Sequence, residues 1–212
     1  MKPILPVLLF AALCTPALAE DVFGGPDQST LNSDGGLYLG VMGGVAIGNS
    51  LWWHDDIDPL PRMKALNEGY VVGGTVGVVS PDKALSWEAD VIYSSSEYTI
   101  YPGSRLNSLS VMANVVYTFA IDDTLGIYGG VGVGAIGLQY QDAVPANDAE
   151  GVNPGYQAFA GVEVGVSDKL SVTAEVRHQA AFNRYQMEFE ADHFGQMEFS
   201  RTSVLAGLLV GL

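Results

Sequence analysis

Apolar and non-apolar positions alternate almost without interruption from Val162 to Arg177, VEVGVSDKLSVTAEVR. Val162, Val164 and Val166 lead into Ser167-Asp168-Lys169, and Leu170, Val172, Ala174 and Val176 lead out of it. The intervening positions carry Glu163, Gly165, Ser171, Thr173, Glu175 and Arg177. Successive strand residues point to opposite faces, so this pattern predicts an antiparallel hairpin with one apolar face and one charged face. The same alternation recurs and predicts eight strands: Leu37–Gly48, Gly69–Val79, Leu85–Ser95, Asn107–Ala120, Leu125–Tyr140, Gly155–Val166, Leu170–Gln179 and Phe199–Leu212. Helical periodicity is scarce. No stretch reaches the roughly 18 apolar residues that a membrane-crossing helix needs.

The connections fall into two classes. SPDKA, IDDT and SDK join the second to third, fourth to fifth and sixth to seventh strands, with the Asp, Ser and Pro that tight turns favour. The other connections run to roughly 11–20 residues, lengths uncommon in a compact domain unless they serve a function. Short links on one rim and long links on the other predict an all-β, eight-stranded antiparallel up-and-down transmembrane β-barrel.

The non-apolar strand face decides which side meets lipid. It holds glycines, hydroxyl residues and six ionisable residues, Glu88, Asp90, Glu163, Glu175, Arg177 and Arg201. A solvated face would be richer in lysine, yet after Lys2 lysine occurs only at Lys64, Lys83 and Lys169, all in connections. A glycine-rich charged face fits the crowded interior of a small barrel, and the apolar face then points to lipid. Strands of about 9–11 residues cross a bilayer, and closure satisfies every backbone group there. Tyr70, Trp87, Tyr117 and Phe119 lie near strand ends on the lipid-facing parity, where interfacial aromatics are expected.

Composition narrows the function. The chain carries 9 basic and 24 acidic residues, a net charge of −15, which excludes a nucleic-acid-binding surface. A hydrophobic content of 48% argues against disorder. Residues 1–19, MKPILPVLLFAALCTPALA, have one positive charge, an apolar run from Ile4 to Leu13 and a closing Ala17-Leu18-Ala19, the pattern of a cleaved secretory signal. Cys14 is the single cysteine and lies within that signal, so the mature chain is expected to hold no disulfide. Residues 20–36 are expected to form a periplasmic tail, and residues 37–212 the barrel.

At this point the chain resembles the small outer-membrane β-barrel family of Gram-negative bacteria, the OmpA-like transmembrane barrel and its porin-like single-domain relatives. IYGGVGVGAIG, GVEVGVSDKLSVTAEVRH and the terminal SVLAGLLVGL carry the resemblance, which covers essentially the whole mature chain. It implies location in the cell outer membrane. The implied partners are outer-membrane lipids and lipopolysaccharide, the barrel-assembly machinery during insertion, and an extracellular partner at the loops. Two departures from the family pattern stand out. The chain ends with the eighth strand, without the periplasmic peptidoglycan-binding domain of longer relatives. It closes on Leu212 where the family usually places a phenylalanine read during assembly.

Three groups of residues are candidates for chemistry. Buried charges need partners, so Arg177 and Arg201 are expected to bridge Glu88, Asp90, Glu163 or Glu175 in an ion-pair network that closes the lumen. The excess of acids in that set implies carboxyl groups that hold their protons more tightly than usual, or bound water or cations, inside. Asp55, Asp56 and Asp58, in LWWHDDIDP, offer cation contacts in a loop but lack the twelve-residue calcium pattern. VRHQAAFN faintly resembles a segment of the lipid A deacylase family; His178 matches its histidine, but Ala180 stands at the nucleophile position. The cluster RYQMEFEADHF, Arg184–Phe194, is expected to extend the last two strands above the membrane. No cofactor is expected. The leading reading is a non-enzymatic barrel with a structural or surface-interaction role and a closed lumen. The second is a narrow passive channel, and the third a lipid A-modifying enzyme.

Overall fold

The computed structural model describes residues 36–55, 62–65, 67–80, 84–97, 103–141, 149–189 and 193–212. They form β1 (Leu37–Asp55), β2 (Arg62–Ala65), β3 (Gly69–Val79), β4 (Leu85–Glu97), β5 (Arg105–Ala120), β6 (Leu125–Gln141), β7 (Ala149–Ser167), β8 (Leu170–Ala181), β9 (Tyr185–Phe189) and β10 (His193–Gly211). The sheet order is β2-β1-β3-β4-β5-β6-β7-β8-β10-β9, and β1 also pairs with β10. That last pairing closes the sheet into an eight-stranded antiparallel barrel. β2 pairs with β1 above β3, and β9 pairs with β10 above β8, so each extends a stave of the barrel.

The strands outrun the apolar alternation at the long-connection end. β1 continues to Asp55, β7 begins at Ala149, and β10 begins at His193. β2 and β9 occupy stretches that the alternation leaves as connections. β9 lies in the Arg184–Phe194 cluster expected to extend the last strands. Beyond the bilayer neither face of a strand must meet hydrocarbon, so hydrogen-bonded strand persists there without an apolar stripe.

The opposite end is tight. Ser80 N–H donates to the Leu85 carbonyl at 2.8 Å, and Ile121 N–H to the Leu125 carbonyl at 2.8 Å. Ser167 pairs with Leu170 across Asp168-Lys169. Asp122 caps its turn, with Oδ1 accepting from Thr124 N–H, Thr124 Oγ1 and Leu125 N–H at 2.8, 2.9 and 2.8 Å. Leu212 N–H donates to the Leu37 carbonyl at 2.9 Å, so the final residue is tied to the first strand at this end.

The two faces separate cleanly. Val41, Val76, Val91, Val131, Val133, Val176 and Leu208 are exposed on the outside, Val131 by 63%. A continuous apolar outer surface of this kind is what a lipid-facing wall requires. Tyr70, Trp87, Tyr117 and Phe119 are all exposed on that face. Tyr70 meets Tyr93 at 6.0 Å between ring centroids, and Tyr156 meets Phe182 at 5.2 Å, both pairs toward the long-connection end. Inside, glycines make room for large side chains. A Cβ on Gly77 would collide with the Tyr38 ring, and one on Gly130 with the Phe159 ring.

Candidate functional site: the charged lumen

All six ionisable residues expected inside point into the barrel, and the register sets their heights. Gly77 opposes Glu88, and Thr75 opposes Asp90. Glu163 opposes Thr173, Gly161 opposes Glu175, and Phe159 opposes Arg177. Arg201 opposes Gln179, one inward step from Arg177 toward the long-connection end.

Arg177 is the hub. Its side chain ion-pairs with Asp90 through Nη1 and with Glu175 through Nε, the latter at 2.7 Å. Arg177 is 2% exposed and Asp90 is 0% exposed, so this pair lies away from bulk water. The guanidinium also sits 4.1 Å from the centroid of the Phe159 ring, a cation–π contact. Asp90 Oδ2 accepts further bonds from Asn114 Nδ2 at 2.8 Å and Gln157 Nε2 at 3.1 Å. Tyr128 donates its hydroxyl to Glu175 Oε2 at 3.0 Å. Charge-assisted bonds of this density offset the desolvation of the ions and fix the geometry of the hub.

The second arginine behaves differently from expectation. Arg201 meets no carboxylate within ion-pair distance among the described residues. Its guanidinium donates to Ser94 Oγ, to Ser108 Oγ at 2.7 Å and to Gln179 Oε1. The reason is height: one step beyond Arg177, the inward neighbours are hydroxyls and an amide. Gln179 links the two levels, donating to Ser110 Oγ at 3.0 Å and to Gln157 Oε1 at 2.8 Å. A polar chain therefore crosses the lumen from Glu175 through Arg177, Asp90, Gln157 and Gln179 to Arg201.

Apolar side chains lie on both sides of this chain. Toward the long connections, Leu106, Met112, Ile136, Leu138, Tyr185, Met197 and Phe199 form a buried cluster. Tyr185 is fixed there by donating its hydroxyl to the Ile136 carbonyl at 2.7 Å. On another wall, Ala46, Val71, Ile92 and Leu205 pack together. Toward the short turns the lumen opens into a cavity of about 50 Å³, whose lining includes Tyr38, Thr75, Glu88, Glu163, Thr173 and Glu175. Tyr38 donates its hydroxyl to Glu88 there.

Several residues of this network were absent from the charge-based expectation: Tyr38, Asn114, Tyr128, Gln157 and Gln179. The amides share the inward parity of the acids. An amide on the interior side of a bilayer strand was the available signal.

The remaining candidates are not brought together. Asp55 lies in the β1 extension, where its backbone pairs with Gly195, whereas Asp56 and Asp58 lie outside the described residues. His178 is on the outer face, and its Nδ1 lies 3.0 Å from Thr202 Oγ1. Ala180 is buried on the same strand. No group of three or more metal-ligating side chains occurs among the described residues.

Comparison with known proteins agrees with this architecture. Neisserial surface protein A shares 14% identity with a TM-score of 0.55, the match covering 83% of this chain and 97% of that one. OprG from Pseudomonas aeruginosa shares 10% identity with a TM-score of 0.55 over 84% of this chain and 98% of its own. AlkL, solved in DMPC bilayers, shares 13% identity with a TM-score of 0.51 over 90% and 97%. At such identities the likeness is one of fold. No curated protein sequence matches the chain. The model of the outer membrane protein beta-barrel domain matches residues 5–208, and with the closed barrel, the apolar outer wall and the charged interior it shows that the chain belongs to that outer-membrane family.

Proposed function

We propose that this protein is a non-enzymatic outer-membrane barrel with a sealed lumen, exported by the signal at residues 1–19, whose working surface is its long-connection end. The observation that carries this reading is the Asp90–Arg177–Glu175 hub, continued through Gln157 and Gln179 to Arg201. An eight-stranded barrel has an interior just wide enough for side chains, and here they bond to one another across it. Such a lumen stiffens the wall and leaves little room for solute. The long connections then face outside and the short turns and both termini face the periplasm. At the outer end the protein meets lipopolysaccharide, and the loops present an acidic surface to a partner.

Planar-bilayer recording on the purified barrel tests the seal. Discrete conductance steps are not expected. Reproducible steps would favour the second reading, a narrow passive channel, for which the cavity at the short-turn end is the supporting feature. Epitope tags inserted near Asp56 and Asp148 should be reachable on intact cells and a tag near Asp122 should not. The reverse labelling would invert the orientation.

A further inference from the structure

The ladder along β10 is interrupted where β8 gives way to β9. Ala180 pairs with Ser200 and Tyr185 pairs with Met197, so residues 181–184 span the distance that Glu198 and Phe199 cover on β10. Surplus residues of this kind bend a strand and leave its ladder open. Here they leave a notch of about 370 Å³, whose lining includes Ala180, Phe182, Asn183, Arg184, Glu198 and Ser200. Small-molecule sites occupy roughly 300–1,000 Å³.

The notch belongs to the outer side of the wall. Ala180 continues the outward parity of Val176 and His178, and Ser200 that of Thr202 and Val204. Ala180 is nevertheless buried, as the floor of the notch, while Phe182 stands 59% exposed at its edge. Tyr185 turns inward to the Ile136 carbonyl, which turns Arg184 outward. Below the notch, on the same two strands, follow the pairs His178–Thr202, Val176–Val204 and Ala174–Ala206. The Phe182 ring meets Tyr156, so the notch lies at the aromatic rim, where the lipid-facing wall gives way to headgroups.

Its chemistry is neutral and two-sided. Arg184 Nη2 lies 2.7 Å from Glu198 Oε1, with both side chains close to half exposed, so the pair cancels its own charge and stays open to a ligand. The guanidinium donates, the carboxylate accepts, and the Asn183 amide and Ser200 hydroxyl do both. Phe182 adds an apolar ring face beside them. A sugar ring presents the matching combination: hydroxyls that donate and accept around its edge, and an apolar C–H face.

We propose that this notch seats the sugar headgroup of an outer-leaflet glycolipid. The ring lies against Phe182, its hydroxyls bond Arg184, Glu198 and Asn183, and the acyl chains descend over Val176 and Val204. The proposal rests on the orientation given above, with the long connections outside, and names the lipid contact of that end.

The test is native mass spectrometry of the full barrel released from zwitterionic, sugar-free micelles. The barrel is titrated with lipid A or with phosphatidylglycerol, which carries phosphate and acyl chains but no sugar. Lipid A should half-saturate the wild type at a roughly ten-fold lower concentration than phosphatidylglycerol, and Phe182→Ala or Arg184→Ala should each remove most of that preference. Both side chains are exposed, so both variants should keep the heat-modifiable gel form of the folded barrel. Tyr70→Ala, at the rim three strands away round the wall, should bind lipid A as the wild type does. Equal affinity for the two lipids would overturn the proposal. So would a preference that survives in both notch variants, or one that Tyr70→Ala reduces as much as they do, because it would belong to the rim as a whole. Orientation plays no part in micelles, so a failed titration overturns the notch alone, whereas inverted tag labelling on cells overturns the orientation.

Discussion

On β8, Val172, Ala174, Val176 and His178 face outward while Ser171, Thr173, Glu175, Arg177 and Gln179 face inward. The outward residues meet a uniform surrounding, and each needs only to be apolar or, at the rim, tolerant of an interface. The inward residues meet particular partners on distant strands. Arg177 reaches Asp90 on β4, and Gln179 reaches Ser110 on β5. One face is therefore set by a rule that holds at every position, and the other by individual matches across the barrel.

The largest expected effect lies on the inner face. Arg177→Ala strands Asp90 and Glu175 together without their shared cation. Breaking a buried pair from one side costs about 3–5 kcal/mol. The variant should unfold at clearly lower denaturant or temperature in detergent, followed by the shift between heat-modified gel forms. An unchanged midpoint would mean that the inner face is no more specific than the outer.

Adjacent residues then compare the faces directly. Val172→Arg places a charge in hydrocarbon, at about 2–4 kcal/mol near the midplane of a barrel. Thr173→Arg places it in the cavity beside Glu163 and Glu175, where carboxylates receive it at some cost in crowding. Membrane yield and unfolding midpoint should therefore fall further for Val172→Arg.

Arg201 sharpens the comparison within the lumen. Arg201→Met keeps most of the volume and leaves no carboxylate stranded. Its loss unpairs hydroxyl and amide groups, at about 1–3 kcal/mol, and Ser94 and Ser108 can still bond each other across 2.8 Å. The same unfolding assay should rank it milder than Arg177→Ala.

The smallest effect belongs to the short turn at Asp122, outside both faces. The Thr124 and Leu125 amides and the Thr124 hydroxyl hold the Asp122 carboxyl below its usual range. A depressed folded-state value stabilises above the unfolded value and loses that contribution as pH falls through the folded one. Wild type should thus exceed Asp122→Asn slightly near neutral pH, and the gap should close in acid below the ordinary aspartate range.

The same contrast between rule and match explains what was legible in the sequence. Val131 and Val172 could be assigned to the outer face because alternation continues through them without exception. Parity also showed that Asp90 and Arg177 share the interior. Parity cannot give height, and height depends on the register between strands far apart in the chain. For that reason the carboxylate expected beside Arg201 proved to be Ser94, Ser108 and Gln179. Tyr128 and Tyr38 were hidden for another reason: an aromatic on a barrel strand fits either face. The extensions β2 and β9 escaped the alternation because strands beyond the bilayer are held by backbone pairing.

The central claim is that Val172 and its parity mates touch lipid while Thr173 and its mates are enclosed. The one cysteine, Cys14, lies in the expected signal, so nitroxide labels can be placed singly at Val172→Cys, Thr173→Cys and onward to Val176→Cys in the mature barrel. In reconstituted vesicles, collision rates with oxygen and with a water-soluble nickel chelate should alternate along β8. Val172, Ala174 and Val176 should show high oxygen and low nickel access, and Thr173 and Glu175 low access to oxygen. A strand with no alternation, or with oxygen access peaking at Thr173 and Glu175, would contradict the assignment of the two faces.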